Sequence, residues 1–182
     1  MPEIIHDMPS VTRIISPYVD YSQVPSNRLE QATQRGKDVH SIIAAIALNL
    51  WVPKIPEECK GYVESFKGWF DKYVEQVVYV EHELVDTVYR FYGHIDFYGK
   101  IKKIGCGVID WKTPILQEKA WRLQMAGYER LVTYRGKHID VVASLQLDPN
   151  GRLPKMTRYE GHSARDFNIF LGMLNAYYFF KE

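Results

Sequence analysis

The feature that most limits the fold is a change of rhythm along the chain. From Gln76 to Thr113 apolar residues alternate with polar ones, in QVVYVEHELV, TVYRFYGHIDFYG and GCGVIDWKT, whereas on either side they recur at helical spacing. Period two with β-branched and aromatic residues builds strands, so three successive strands are predicted, joined at Asp86–Thr87 and across Gly99–Gly105. Helical patterns flank this run of strands on both sides.

Residues 1–26 carry Pro2, Pro9, Pro17 and Pro25 and read as a loop-rich lead-in. Asn27 and Glu30 form a capping-box pattern for a helix over 28–50, with Val39, Ile42, Ile43, Ile46 and Leu50 as its buried stripe. After Pro53 and Pro56, a second amphipathic helix spans 60–75 with Tyr62, Val63, Phe66, Trp69, Phe70 and Tyr73. Helical spacing returns at 117–134, a buried strand follows at 139–147 up to the Asp148–Gly151 turn, and 155–160 adds a short edge strand. Ser163 and Asp166 form a second capping-box pattern, for a last helix with Phe167, Phe170, Leu171, Leu174 and Tyr178. The predicted order is ααβββαβ(β)α, an α/β fold. At 182 residues, without a repeat or a Gly/Ser linker, it is expected to form one domain over 1–182.

Composition excludes several classes. No apolar run approaches the roughly 18–20 residues that cross a bilayer, and MPEIIHDMPSV lacks the basic start and apolar stretch of a signal peptide. A cytoplasmic protein with no membrane partner is expected. Two cysteines, Cys59 and Cys106, are too few for a disulfide scaffold or an iron–sulfur cluster. The net charge of +1 conceals an asymmetry: residues 57–96 hold nine acids against four bases, and residues 97–165 hold thirteen bases against six acids. That distribution suggests a basic face beside an acidic pocket, and a solvated surface produces similar counts.

The chemistry concentrates in GHIDFYGKIKKIGCGVIDWKT. Asp110 and Lys112 are two apart on one strand and share a face with Val108, while Ile109 and Trp111 face the other way. A hairpin partner brings Asp96 beside them. Two carboxylates and an ammonium at the end of an apolar strand require mutual pairing or a bound cation. A structural ion pair and a metal site both satisfy that requirement. Glu81 and Glu83 share a face upstream; His40, four residues after Gly36, shares a helical face with it; Gln124 and Tyr128 are one turn apart beside Trp121 and Leu131. Carboxylates with one imidazole suit Mg²⁺ or Mn²⁺. Each helical pair is equally the pattern of an ordinary amphipathic helix.

In order, Arg35-Gly36…His40, Glu81, Gly93-x-x-Asp96, Asp110-x-Lys112 and Gln124-x-x-x-Tyr128 resemble the motifs of the PD-(D/E)XK nuclease superfamily, in its RecB-like branch, and PSVTRIIS resembles the start of small phage or prophage members. The resemblance implies a restriction-endonuclease-like core, a central mixed sheet flanked by helices, and a divalent-metal DNA phosphodiesterase. It implies His40, Asp96 and Asp110 as metal ligands, with the Trp111 carbonyl completing the shell. Glu81 binds or orients a metal water, Lys112 is the catalytic lysine, and Gln124 and Tyr128 position DNA or the site. Asp110 stands where Glu is common, a replacement the superfamily's name allows, and the four-cysteine cluster of some relatives is missing. The expected activity is an exonuclease on DNA with free ends, in phage recombination or DNA processing with a possible recombination partner protein, in the cytoplasm of a bacterial host. A structure-specific endonuclease and a non-catalytic DNA-binding protein are the alternatives. Arg35, Lys119 and Arg122 are expected to contact substrate, and Lys100, Lys102, Lys103, Arg130, Arg135 and Lys137 are further candidates for phosphate contacts.

Overall fold

The meander and its flanking helices form an α/β structure around one five-stranded mixed sheet, in a computed structural model that describes residues 7–52, 54–114, 119–159 and 163–181. Five α-helices and one 3-10 turn are found among these residues. The strands are β1 (Val74–Asp86), β2 (Phe91–Ile101), β3 (Gly105–Lys112), β4 (Val141–Gln146) and β5 (Lys155–Arg158). They lie side by side in chain order; β1–β2, β2–β3 and β4–β5 are antiparallel, and β3–β4 is parallel. A parallel pair needs a long crossover, and α4 (Ala120–Tyr134) provides it.

Helices cover both faces. On one, α2 (Ser26–Ala47) and α3 (Glu57–Tyr73) bury Val39, Ile43, Val63 and Phe66 against Phe97, Ile109, Trp111 and Leu145. On the other, α1 (Val11–Ile15), α4 and α5 (Ser163–Lys181) bury Val11, Met125, Leu131 and Phe170 against Phe91, Ile95, Val108 and Val142. Phe66 packs edge-on against Trp111 with ring centroids 5.2 Å apart, and His40 packs edge-on against the same indole at 5.8 Å. The first core thus fixes the end of β3 where Asp110 and Lys112 sit. Gly61 and Gly93 are among the glycines that permit close approaches. A Cβ at Gly61 would lie 1.7 Å from the Pro149 carbonyl oxygen, and one at Gly93 would lie 2.9 Å from Tyr128 Cε1.

Several sequence expectations are corrected. The lead-in contains α1, capped by the Ser10 hydroxyl, which accepts from Arg13 N; its Val11, Ile14 and Ile15 are buried. α2 begins at Ser26 with Pro25 as its cap, and Asn27 accepts a bond from Arg28 N rather than closing a capping box. The helix stops at Ala47, so Leu50 is exposed. Asp166 does not complete a capping box; its carboxylate is held by Arg122. At Gly36 a Cβ would meet only Thr113 Oγ1, at 3.5 Å. The expected elements at Pro2, Pro53, 117–118 and 160 lie outside the described residues.

The alternation also fails at Glu81, beyond the register shifts of β1 at Val74/Gln76 and Val77/Tyr79. In β1, Val80 enters the α2/α3 core and Leu84 the opposite one; in β2, Ile95 and Phe97 likewise fall on opposite faces. Side chains two or four apart on a regular strand share a face. The phase therefore changes between these residues in both strands. Between the pairs Val80↔Phe97 and His82↔Ile95 sits Glu81, with φ of 44°, a left-handed backbone in the middle of a strand.

Candidate functional site

That irregularity gathers the acids. The β2–β3 ladder ends at Phe97↔Ile109, and beyond it Trp111 N donates to the Asp96 carboxylate at 2.7 Å, so the Asp96 side chain replaces a strand carbonyl. α2 lays His40 over this gap. Its Nε2 donates to the Trp111 carbonyl at 2.9 Å, and Nδ1 stands 3.3 Å from Glu81 Oε1 and 3.7 Å from Asp96 Oδ2. One ligand atom from each of His40, Glu81 and Asp96 lies within 4.8 Å of the other two.

Asp110 and Lys112 do share a face. Lys112 Nζ is 2.5 Å from Asp110 Oδ2, and it donates to Gln124 Oε1 at 2.8 Å. The Asp110 contact lies outside hydrogen-bond angles, so this buried oxygen has close charge but no directed donor. Lys112 also lies 5.5 Å from the Trp121 ring centroid. Gln124 Nε2 in turn donates to the Tyr128 hydroxyl at 3.0 Å, so the pair one turn apart on α4 forms a chain that ends on Lys112.

The electrostatics follow from crowding carboxylates in a partly dry gap. Burial opposes charge on His40, but Asp96, Glu81 and Asp110 outweigh it and push the imidazole up to about 9. Burial raises the Asp96 carboxyl; His40 and Lys112 pull it down, and Asp110 and Glu81 add to the rise. Burial, reinforced by Asp110, keeps the Tyr128 phenol protonated.

All these groups except Glu81 line one cleft of about 1230 Å³ between α1, α2 and α4. A groove on the other side of α2, lined by Lys37, Ser41, Leu48 and Glu81, shares Thr33, Gly36 and His40 with it. The donor set fits a divalent cation: hard carboxylate oxygens, one imidazole, and a buried Asp110 oxygen without a donor. The Trp111 carbonyl, expected in a metal shell, accepts from His40 here.

The remaining candidates separate. Arg35 lines the cleft 5.7 Å from the Tyr62 ring centroid, its buried Nε without an acceptor. Lys119 is exposed at the start of α4. Arg122 points elsewhere, held at 2.8–3.1 Å by the buried Asp166. Arg130 is tied to the buried Asp86 at 2.6 Å, Lys100 to Glu75 at 3.1 Å, and Lys102 to the Lys72 carbonyl. Glu83, the alternative acid, pairs with His94 at 3.3 Å. Val19, Tyr21, Val24, Arg28 and Leu29 line the cleft although their segment reads as a lead-in or a helix start. The available signal was Tyr18, Tyr21 and Val24 at every third position between Pro17 and Pro25.

The fold and this site define an α/β protein with a His/Glu/Asp cluster of which His40 and Asp96 line a cleft. Compared with protein-family models and with curated proteins, the chain matches none.

Proposed function

We propose that this chain is a divalent-metal-dependent deoxyribonuclease, with a restriction-endonuclease-like core, that removes nucleotides from DNA ends. One observation carries the reading: His40, Glu81 and Asp96 converge within 4.8 Å beside the buried Asp110 and its partner Lys112, and all of them but Glu81 line an open cleft. An ion-pair network needs no cleft, and a binding surface needs no imidazole and two carboxylates within the space of one ion.

His40, Glu81, Asp96 and Asp110 would hold Mg²⁺ or Mn²⁺. A bound divalent ion supplies a water acidified by several pH units and positive charge beside the phosphate. Lys112 holds the attacking water or offsets charge on the non-bridging phosphate oxygens, because its ammonium is aimed by Gln124 and backed by Trp121. Tyr128 steadies Gln124, and the Gly93 surface against Tyr128 sets the depth of that chain. Water oxygen bonds to phosphorus as the bond to the leaving 3′-oxygen breaks; of the water's two protons, one is made up on the leaving oxygen through solvent, giving the hydroxyl, and the other stays on the new phosphate or passes to solvent. The resemblance to RecB-like nucleases supports a 5′-phosphate and a 3′-hydroxyl as the products.

The test is digestion of end-labelled linear and closed circular DNA in Mg²⁺, Mn²⁺ or EDTA, beside the Asp110→Asn and Lys112→Ala proteins. Metal-dependent loss of linear DNA that both substitutions abolish, with circles intact, is the expected result. Cleaved circles would replace the exonuclease with an endonuclease. A folded protein that cuts neither substrate in either metal would remove the catalytic reading.

A further inference from the structure

The wall of the cleft facing the acidic floor has a different chemistry from the floor itself. Ile15, Val19, Tyr21, Val24 and Leu29 line it, and Tyr92 of β2 joins them. The wall is anchored by α1, whose Val11, Ile14 and Ile15 are buried. Ser10 forms a bridge with Tyr92, and Tyr92 N donates to the Pro9 carbonyl at 3.2 Å. Beyond this anchor Tyr21 and Val24 remain 44% and 41% exposed.

Positive charge is sparse in the same cleft. Among the described residues its Lys and Arg are Arg28, Arg35 and Lys112, and Lys112 is held by Asp110 and Gln124. Of the thirteen bases of residues 97–165, only Lys112 lines the cleft, while Lys100, Arg122 and Arg130 are committed to acids outside it. A duplex turns its charged backbone outward and hides its bases, and proteins that grip it neutralise about six to ten phosphates. This cleft offers fewer cations and an apolar wall that a duplex cannot use. An unpaired strand can use it, because each exposed base has a face that stacks on aromatic side chains.

The geometry points to an unpaired DNA strand as the occupant of this cleft, its bases against Tyr21, Val24 and Tyr92 and its phosphates toward Arg28, Arg35 and the floor. The inference rests on the nuclease reading and deepens it: substrate enters as a frayed or single-stranded end, and Tyr21 and Tyr92 are strand-positioning residues.

The test reads binding without turnover. Fluorescence anisotropy in EDTA compares a labelled oligothymidylate with a blunt hairpin duplex of equal chain length. The single strand is expected to bind more tightly, with a slope of log affinity against log salt of about −1.4, the value for two phosphates neutralised by Arg28 and Arg35 on a single strand. Tyr92→Ala and Tyr21→Ala are each expected to weaken single-strand binding by about tenfold and leave duplex binding unchanged, while Tyr92→Phe retains it. Tyr21 lies on an exposed stretch, so its variant reports even if Tyr92→Ala unfolds. Equal or tighter duplex binding, or wild-type single-strand affinity in the folded alanine variants, would overturn the inference. Metal-dependent cleavage without single-strand preference would overturn it and leave the nuclease standing. Single-strand preference without cleavage in Mg²⁺ or Mn²⁺ would remove the nuclease and leave the strand site.

Discussion

Protons and a metal ion compete for the same atoms in this cleft, and the sign of that competition is fixed by the structure. His40 ordinarily titrates near 6.5 and is pushed up to about 9 in the fold, against burial, by Asp96, Glu81 and Asp110. Its folded value lies above its unfolded one, so its contribution to stability is complete below pH 6.5 and is lost as pH rises through 9. Asp96, raised by burial, acts in the same direction: the folded state holds more protons than the unfolded state above the ordinary carboxyl range. A shift of this size on His40 corresponds to about 3 kcal/mol at full weight; its side chain is 29% exposed, and solvent screening reduces this to about 2 kcal/mol. For a chain of 182 residues that is a fall in Tm of about 4–8 °C between pH 6.5 and 9. Metal binding requires a neutral imidazole and ionised carboxylates, so the stabilisation by Mg²⁺ grows over the same interval and protons are released on binding. Thermal melts with EDTA and with Mg²⁺ measure both slopes, and titration calorimetry in buffers of different ionisation enthalpy counts the protons. His40→Gln is expected to flatten the metal-free slope. A metal-free Tm that is flat or rising from pH 6.5 to 9, or a Mg²⁺ increment independent of pH, would refute the reasoning.

Three further outcomes follow from single contacts. Gly93→Ala places a methyl 2.9 Å from Tyr128 Cε1 and 3.0 Å from Leu131 Cδ1, an overpacking cost of about 1–3 kcal/mol, seen as a lower midpoint in urea. It is expected to lower turnover more than substrate affinity, because Tyr128 supports the chain to Lys112. Arg122→Ala strands the buried Asp166 carboxylate and is expected to cost about 3–5 kcal/mol of stability, with unchanged salt dependence of DNA binding. A flatter salt slope in a protein of unchanged stability would return Arg122 to the substrate surface. At Glu81, glycine is expected to be about 1 kcal/mol more stable than alanine in metal-free melts, the reverse of the usual order in a strand, because φ is 44°. Both variants should lose the Mg²⁺ increment; an alanine variant as stable as the glycine one would show that this backbone carries no strain.

What could be read from the sequence was what depends on near neighbours. Asp110 and Lys112 share a face because strand side chains alternate, and Gln124 reaches Tyr128 because α4 brings residues four apart together. The element order was legible for the same reason, since each rhythm reports its own segment. Partnerships across 44 positions, Arg122 with Asp166 and Arg130 with Asp86, leave no local pattern, so these arginines counted as free positive charge. α1 was hidden because five residues are too few to show a helical period between Pro9 and Pro17. The centre of the site was hardest to read, since it lies where the periodic rule itself fails. Strict alternation puts Glu81 and Glu83 on one face and leaves no choice between them, whereas the left-handed residue at 81 brings Glu81 to His40 and Glu83 pairs with His94. The same break leaves β2 unpaired with β3 before Phe97, and the Asp96 carboxylate takes the place of a ladder carbonyl on Trp111 N. A regular ladder would have satisfied that N–H with backbone and left the carboxylate without a reason to be buried. The irregular pairing is what brings an acid, an imidazole and a second acid into the space of one ion.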